Sequence, residues 1–254
     1  MSSVIVIPAR YESTRLPAKA LLRETGKFLV QHVYEQALKV RGIDQVIIAT
    51  DDSRIMAAVA SFGGHAASTR NDHPSGTDRI AEVAAALQAD IVINLQGDEP
   101  LLNPSYLELL NQLMLDDPAA EMATLAVPVR NEETYHNPNA VKVVCDRAGN
   151  ALYFSRSPIP YVRDALPDFN AEPPKFLHHL GLYAYRRDAL LKFAMLSPHP
   201  LEESEKLEQL RALGYGWTIR VGIVPTAGHG VDTPADYERF VAEYRRRQVN
   251  DPAV

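Results

Sequence analysis

Cysteine is nearly absent: Cys145 stands alone among 254 residues, so no bridge can form within the chain. That usage fits a reducing compartment, and a cytoplasmic location is the expectation. Long apolar runs are missing too. Stretches such as Ile91 to Ile93 and Val46 to Ala49 fall far short of the roughly 20 residues that a membrane-spanning helix needs, so no membrane partner is expected. The N-terminus shows no basic patch followed by an apolar stretch and a small-residue cleavage site. Val4-Ile5-Val6-Ile7 reads instead as a first strand. Positive charge is not in excess, for 26 Lys and Arg face 32 Asp and Glu, a net of -6. This argues against nucleic acid as the main partner, because duplex binding leans on a broad cationic surface. An anionic small molecule stays open, since it needs only a local group of cations. Low-complexity tracts and long repeats are absent, and the 18 prolines are scattered. His32, His65, His73 and His136 do not stand at zinc-ligand spacing with Cys145, so no transition-metal site is read.

What is present is a hydrophobic fraction of 46%, enough for one compact domain carrying a smaller lobe. Strand-like and helix-like runs alternate through the first half. Val4 to Ile7 ends at Pro8, and Lys27 to Leu38 has apolar residues at helical spacing. Gln45 to Thr50 is a strand. Asp52 and Ser53 offer a helix start, and Phe62-Gly63-Gly64 a stop. A short strand at Ala66 to Ser68, a helix over Thr77 to Leu87 and a strand at Ile91 to Leu95 follow. The strands are continuous apolar runs. Such alternation predicts an α/β fold with a mostly parallel sheet and helices on both faces.

The second half predicts strands at Met122 to Val129, His179 to Tyr185 and Thr218 to Val224. It also predicts a hairpin joining Val141 to Val144 with Ala151 to Phe154, and a helix over Glu202 to Leu213. Ser157 to Lys175, rich in proline and charge, reads as a loop, and the smaller lobe is expected at roughly 130–200.

Open parallel sheets bind ligands beyond the carboxyl ends of their strands. The first such loop runs Pro8-Ala9-Arg10-Tyr11-Glu12-Ser13-Thr14-Arg15-Leu16-Pro17-Ala18-Lys19. Its three cations Arg10, Arg15 and Lys19, with hydroxyls at Ser13 and Thr14, suit a polyphosphate: arginine grips phosphate with two parallel hydrogen bonds, lysine as a point charge. A solvated basic loop is the plainer alternative. The loop has neither the P-loop pattern nor the dinucleotide glycine pattern. Asp98 should sit just past the strand Ile91 to Leu95, facing the same crevice, and Asp232 follows the last strand. Thr233-Pro234 with Asp236 makes a helix start, so Thr233 can cap and leave Asp232 free.

The stretch Ile7-Pro8-Ala9-Arg10-Tyr11-x-Ser13-Thr14-Arg15-Leu16-Pro17-x-Lys19 resembles the signature of CMP-Kdo synthetases (3-deoxy-manno-octulosonate cytidylyltransferases). Further matches follow in order: Ser75-Gly76-Thr77-Asp78-Arg79, Asn94 to Pro100, Met122 to Pro128, Asn137 to Lys142, Ala151 to Arg156, His179-Leu180-Gly181, Leu207 to Arg211 and Val231 to Pro234. The resemblance implies a Rossmann-like nucleotidyltransferase sheet. It implies a reaction in which the anomeric hydroxyl of an acidic eight-carbon sugar attacks the α-phosphorus of CTP and pyrophosphate leaves. Mg²⁺ is then held by Asp98 and Asp232, the usual arrangement of carboxylates beside a triphosphate. Arg10 and Lys19 are expected on the α/β-phosphate oxygens and Arg15 on the outer phosphates. Pro8, Ala9, Ser13, Ser75, Gly76, Arg79 and Gln96 are expected around the nucleotide, with helix capping as the alternative for Ser75. Arg156, His179, Tyr185, Glu208 and Gln209 are expected at the sugar, with an ordinary solvated helix face as the alternative for Glu208 and Gln209. A homodimer is the family expectation.

One departure concerns the loop. The family usually has glycine before the loop lysine and proline after it, where this chain has Ala18 and Ala20. The backbone at Ala18 should therefore run with ordinary angles or carry strain. Rival readings keep the chemistry and change the sugar, to 8-amino-Kdo or a sialic-acid-like acceptor. More distant rivals are a metal-dependent glycosyltransferase, for which Gln96-Gly97-Asp98 lacks the first aspartate of Asp-x-Asp, and a nucleotide-binding protein without catalysis.

Overall fold

Valine and isoleucine dominate the first strand, β1 (Ser3–Pro8), which is buried at five of its six positions. Side chains of a strand alternate between faces, so burial of successive residues requires cover on both sides. The same holds for β2 (Gln45–Thr50) and β4 (Ile91–Asn94). The structure is a computed structural model and describes residues 1–13 and 15–250; Thr14 lies outside the described residues. Two compact units divide the chain: Ser2–Glu108 with the described residues from Gly228 on, and Leu109–Ala227 with Met1.

In the first unit four parallel strands stand in the order β3-β2-β1-β4, with β3 at Ala66–Ser68. The chain proceeds outward from β1 to β3 and then returns to place β4 on the other side of β1. The gap beyond the carboxyl ends of β1 and β4 is thus a topological switch point, where such sheets bind ligands. Helix α1 (Leu29–Ala37) buries Leu29, Val30, Val33 and Tyr34. Helix α2 (Ser53–Ser61) starts as expected at Asp52, whose carboxylate accepts from the N–H groups of Arg54 and Ile55. It ends at Phe62 before Gly63, at φ 73°. Helix α3 (Gly76–Ala85) is capped by Ser75. Helix α4 (Pro104–Asp116) contains the division between the units. The last helix, α9 (Pro234–Asn250), packs Tyr237, Phe240, Val241 and Tyr244 with Leu16, Leu29 and Val231.

In the second unit β5 (Met122–Pro128) lies between β8 (Leu177–Arg186), antiparallel to it, and β9 (Ile219–Ile223), parallel to it. The expected hairpin is present as β6 (Lys142–Cys145) and β7 (Ala151–Ser155), and β6 also pairs with β8. Helices α5 (Glu132–His136), α6 (Arg187–Phe193), α7 (Pro200–Glu205) and α8 (Gln209–Gly214) complete it. The single helix expected over Glu202 to Leu213 is instead two. Lys206 takes a left-handed conformation, φ 54° and ψ 48°, and the chain turns there. Among the described residues no helix is long and apolar enough to cross a membrane.

Candidate active site

The carboxyl end of β1 opens into a cleft of about 680 Å³ lined by Pro8, Ala9, Arg10, Ser13, Arg15, Lys19, Gln96, Asp98 and Asp232. Every residue expected in the phosphate loop and at the metal, apart from Thr14, is therefore gathered in one place. Lys19 is the hub. Its Nζ stands 2.7 Å from Asp98 Oδ2 and 3.1 Å from Asp232 Oδ1. Arg15 Nη2 reaches the same Asp232 oxygen at 3.1 Å while its side chain stays 65% exposed. Arg10 is exposed and lines the cleft.

Local backbone explains this convergence. Ala9 N–H donates to Ala49 O at 2.9 Å, which extends the β1–β2 ladder into the loop. Leu16 N–H donates to Ser13 Oγ at 3.3 Å. Ala18 then takes φ 53° and ψ 28°, so the strained alternative is the one found. The left-handed residue starts a 3-10 turn, Lys19–Leu21, which aims Lys19 at the two aspartates. Gly97 has a steric reason to be glycine, for a Cβ there would stand 2.9 Å from Pro8 O. Asp232 is free of capping duty, as expected: Asp236 N–H donates to Thr233 Oγ1, and Asp236 Oδ2 accepts from the N–H groups of Asp232 and Thr233. Val231 N–H donates to Asp98 O at 2.8 Å, tying the two aspartate-bearing segments together.

Glu99 also joins this group. A Cβ on Gly228 would stand 2.9 Å from Glu99 Oε2, so glycine leaves room for the carboxylate. Burial pushes Glu99 up to about 7, with Asp98 and Asp232 adding to the rise and Lys19 opposing it. Adjacency to Asp98 was the only available signal, because the approach of the Gly228 segment is tertiary.

Two carboxylate oxygens around a single ammonium form a cation-binding pair already holding a stand-in cation. Among the described residues no three His, Cys, Asp or Glu side chains assemble as a metal site. A cation here would draw on two carboxylates and complete its shell with substrate oxygens and water. That donor set is hard, oxygen-only and incomplete by itself, which fits Mg²⁺.

Pro8, Ala9, Arg10 and Gln96 also line a smaller recess with Ser75, Gly76 and Arg79. Ser75 Oγ accepts from Asp78 N at 3.2 Å and donates to Asp78 Oδ2 at 2.7 Å, so capping is its observed contact. Arg79 is 6% exposed. Its Nη1 bonds Asp51 Oδ1 at 2.7 Å and Thr69 Oγ1 at 2.5 Å. Gln96 Nε2 reaches Asn94 Oδ1 at 3.4 Å, the longest of these contacts.

The expected sugar residues all belong to the second unit. His179 is buried, and burial pushes its imidazole down to about 3, so the ring is neutral. Thr124 Oγ1 donates to Leu182 O at 2.8 Å and so accepts from His179 Nε2 at 2.9 Å. This network assigns the proton to Nε2 and leaves Nδ1 as the acceptor. Thr124 reaches these groups at a register shift of β5 against β8. Tyr185 is fully buried beside Tyr183 and Phe193. Gln209 is buried, Glu208 half-buried. Arg156 donates to the carbonyls of Glu205, Pro138 and Lys206. Glu205 is also occupied, accepting from Ser155 Oγ at 2.6 Å and Arg156 N at 3.0 Å. Glu205, Glu208 and Gln209, which one continuous helix over Glu202 to Leu213 would place on the same side, are thus split by the turn at Lys206.

A sequence model of the family described as "Cytidylyltransferase" matches residues 4–219. A protein of Syntrophobacter fumaroxidans named 3-deoxy-manno-octulosonate cytidylyltransferase is 52% identical over 244 residues, covering 95% of this chain and 96% of its own. One of the same name from Escherichia coli is 52% identical over 240 residues, with 94% and 95% covered. Among solved structures, one of CMP:2-keto-3-deoxy-manno-octonic acid synthetase complexed with CTP superposes with a TM-score of 0.91 at 50% identity, covering 97% of this chain and 100% of that one.

Proposed function

This chain belongs to the 3-deoxy-manno-octulosonate cytidylyltransferase family, and from that premise we propose that it transfers CMP from CTP to the anomeric hydroxyl of 3-deoxy-manno-octulosonate (Kdo). The products are CMP-Kdo and pyrophosphate. The carrying observation is the convergence of Lys19, Asp98 and Asp232 at the switch point between β1 and β4.

The sugar oxygen forms a bond to the α-phosphorus, the bond from that phosphorus to the β-bridging oxygen breaks, and the hydroxyl proton leaves to solvent. Transfers of this type depend on alignment and charge neutralisation. Lys19 exchanges its two carboxylates for α-phosphate oxygens when CTP enters, and Arg10 joins it there. Arg15, mostly exposed, turns from Asp232 to the outer phosphates. Asp98 and Asp232 would hold Mg²⁺, which when bound offsets triphosphate charge and lowers the pKa of the attacking hydroxyl. Pro8, Ala9 and Gly76 present backbone to the nucleotide, and Gln96, held by one long hydrogen bond, reads the base edge. Arg79 and Ser75 shape that recess through Asp51, Thr69 and Asp78 rather than by touching the base. In the second unit His179 Nδ1 accepts from a sugar hydroxyl, with Tyr185, Glu208 and Gln209 shaping its surroundings and Arg156 ordering the adjacent backbone. A cytoplasmic homodimer feeding lipopolysaccharide or capsule assembly completes the reading; sedimentation of the purified chain tests the dimer.

The direct test is pyrophosphate release with CTP, UTP or ATP against Kdo, 8-amino-Kdo, a sialic acid and a neutral hexose. Release is expected with CTP and Kdo; equal release with UTP or with the hexose refutes the assignment. Lys19→Ala should lower kcat about a hundredfold or more while CTP binding weakens far less. Unchanged turnover would remove Lys19 from the reaction.

A further inference from the structure

We propose that Arg54 is a positioning residue for the nucleotide, acting through Tyr11 on the loop that carries Arg10 and Arg15; this rests on the reading of that loop as the triphosphate site. Arg54 lies in the first turn of α2, and its guanidinium carbon sits 3.2 Å from the centre of the Tyr11 ring. The guanidinium is held at its edge by a fork to Asp52, with Nε to Oδ1 at 3.0 Å and Nη2 to Oδ2 at 2.6 Å. Asp52 is itself immobilised. Its Oδ1 accepts from Arg54 N at 2.8 Å, and its own N–H donates to Thr50 Oγ1, at the end of β2, at 3.2 Å. A continuous path of contacts therefore runs from β2 through Asp52 and Arg54 to the ring of Tyr11.

The loop has need of such a support. Its ladder bond to β2 is Ala9 N–H to Ala49 O, and beyond it Tyr11 stands between two phosphate-facing arginines while lining the cleft itself. Arginine suits the position for two reasons. Its flat, weakly hydrated guanidinium lies on an aromatic face, and its planar fork holds a carboxylate at the same time. Lysine can keep the attraction to the ring but cannot make the fork. Arg54 touches neither the aspartate pair nor Lys19, so its effect should fall on nucleotide capture rather than on the chemical step.

The test measures pyrophosphate release against CTP concentration at saturating Kdo, in Arg54→Ala, Arg54→Lys, Tyr11→Leu and the Arg54→Ala/Tyr11→Leu double variant. Tyr11→Leu leaves every charge in place, which separates lost position from lost attraction. We expect KM for CTP to rise about two- to fivefold in Arg54→Ala and in Tyr11→Leu, the scale of an exposed stack of this kind. The kcat should stay within about twofold, Arg54→Lys should fall between wild type and Arg54→Ala, and the double variant should be no worse than Tyr11→Leu. Trypsin reads the loop without substrate: cleavage after Arg15 should accelerate in both single variants. Wild-type values of both KM and Arg15 cleavage in Arg54→Ala overturn the proposal, as does a double variant whose effect is the product of the singles. If the wild-type enzyme releases no pyrophosphate from CTP, the nucleotide reading has failed instead, and Arg15 cleavage alone then decides the stack.

Discussion

Ala18 holds a conformation that L-residues with a Cβ avoid, at a cost of about 1 kcal/mol. Replacing it with glycine should remove that cost without touching any contact. Ala18→Gly is therefore expected to stabilise the protein by about 0.5–1 kcal/mol, a rise of about 2 °C in thermal melting. A lowered melting point would show that the left-handed turn is absent in solution. At this scale the site was readable where a residue's partners follow from strand ends. Lys19 lies in the loop that follows β1, Asp98 shortly past β4 and Asp232 in the segment after β9, so strand ends pointed to a shared crevice, while the turn at Ala18 and the bond from Val231 N–H to Asp98 O complete the meeting. Ser75, Arg79 and Arg156 carried motif signals equally strong. For Ser75 the capping alternative is the contact found, while the hydrogen-bond partners of Arg79 and Arg156 (Asp51 with Thr69, and the carbonyls of Pro138, Glu205 and Lys206) were not readable from spacing.

Helices show the same division. α2 and α9 were legible from caps, since Asp52 and the Thr233–Asp236 pair announce themselves. The break between α7 and α8 was not, because the left-handed residue is Lys206 and no glycine marks it. The apolar residues Leu207, Leu210 and Leu213 all follow the turn, so their helical spacing carries no sign of it. The α1–α9 contact carries a pH consequence. His32 is buried with its ring centre 5.0 Å from that of Phe240 and 4.6 Å from that of Tyr244, and burial pushes it down to about 4. Unfolding restores the ordinary value near 6.5, so the unfolded chain binds the proton more tightly. Its contribution is present above pH about 6.5 and is lost as pH falls toward about 4. His32→Gln should flatten the urea-denaturation midpoint across that window relative to wild type. An unchanged slope would assign the acid sensitivity to other groups such as His179, which shifts in the same direction.

For the molecule as a whole, the proposed roles of Lys19, Asp98 and Asp232 would make ion and nucleotide binding interdependent. With Lys19 between Asp98 and Asp232, a divalent ion held there would compete with an ammonium until phosphate oxygens give that ammonium another partner. Mg²⁺ alone should barely raise the melting temperature, and CTP with Mg²⁺ should raise it by more than the two separate shifts added. Chelation should abolish pyrophosphate release and added Mg²⁺ restore it. In Lys19→Ala, Mg²⁺ alone should already stabilise; an absence of that gain would exclude the competition. That β1 to β4 run parallel was legible because continuous apolar strands alternate with capped helices; their order was not. The mixed pairing of β5 with β8 and β9 was not, since a buried strand reads alike beside a parallel or an antiparallel neighbour.

The chain leaves its first unit inside α4 and re-enters it at Gly228. Every side chain assigned to the nucleotide and the metal is encoded outside that excursion, and every one assigned to the acceptor within it. A chimaera that imports Leu109–Ala227 from a relative with another acceptor is therefore expected to take on that relative's sugar choice while keeping CTP as donor; unchanged sugar choice would place an acceptor determinant outside the excursion.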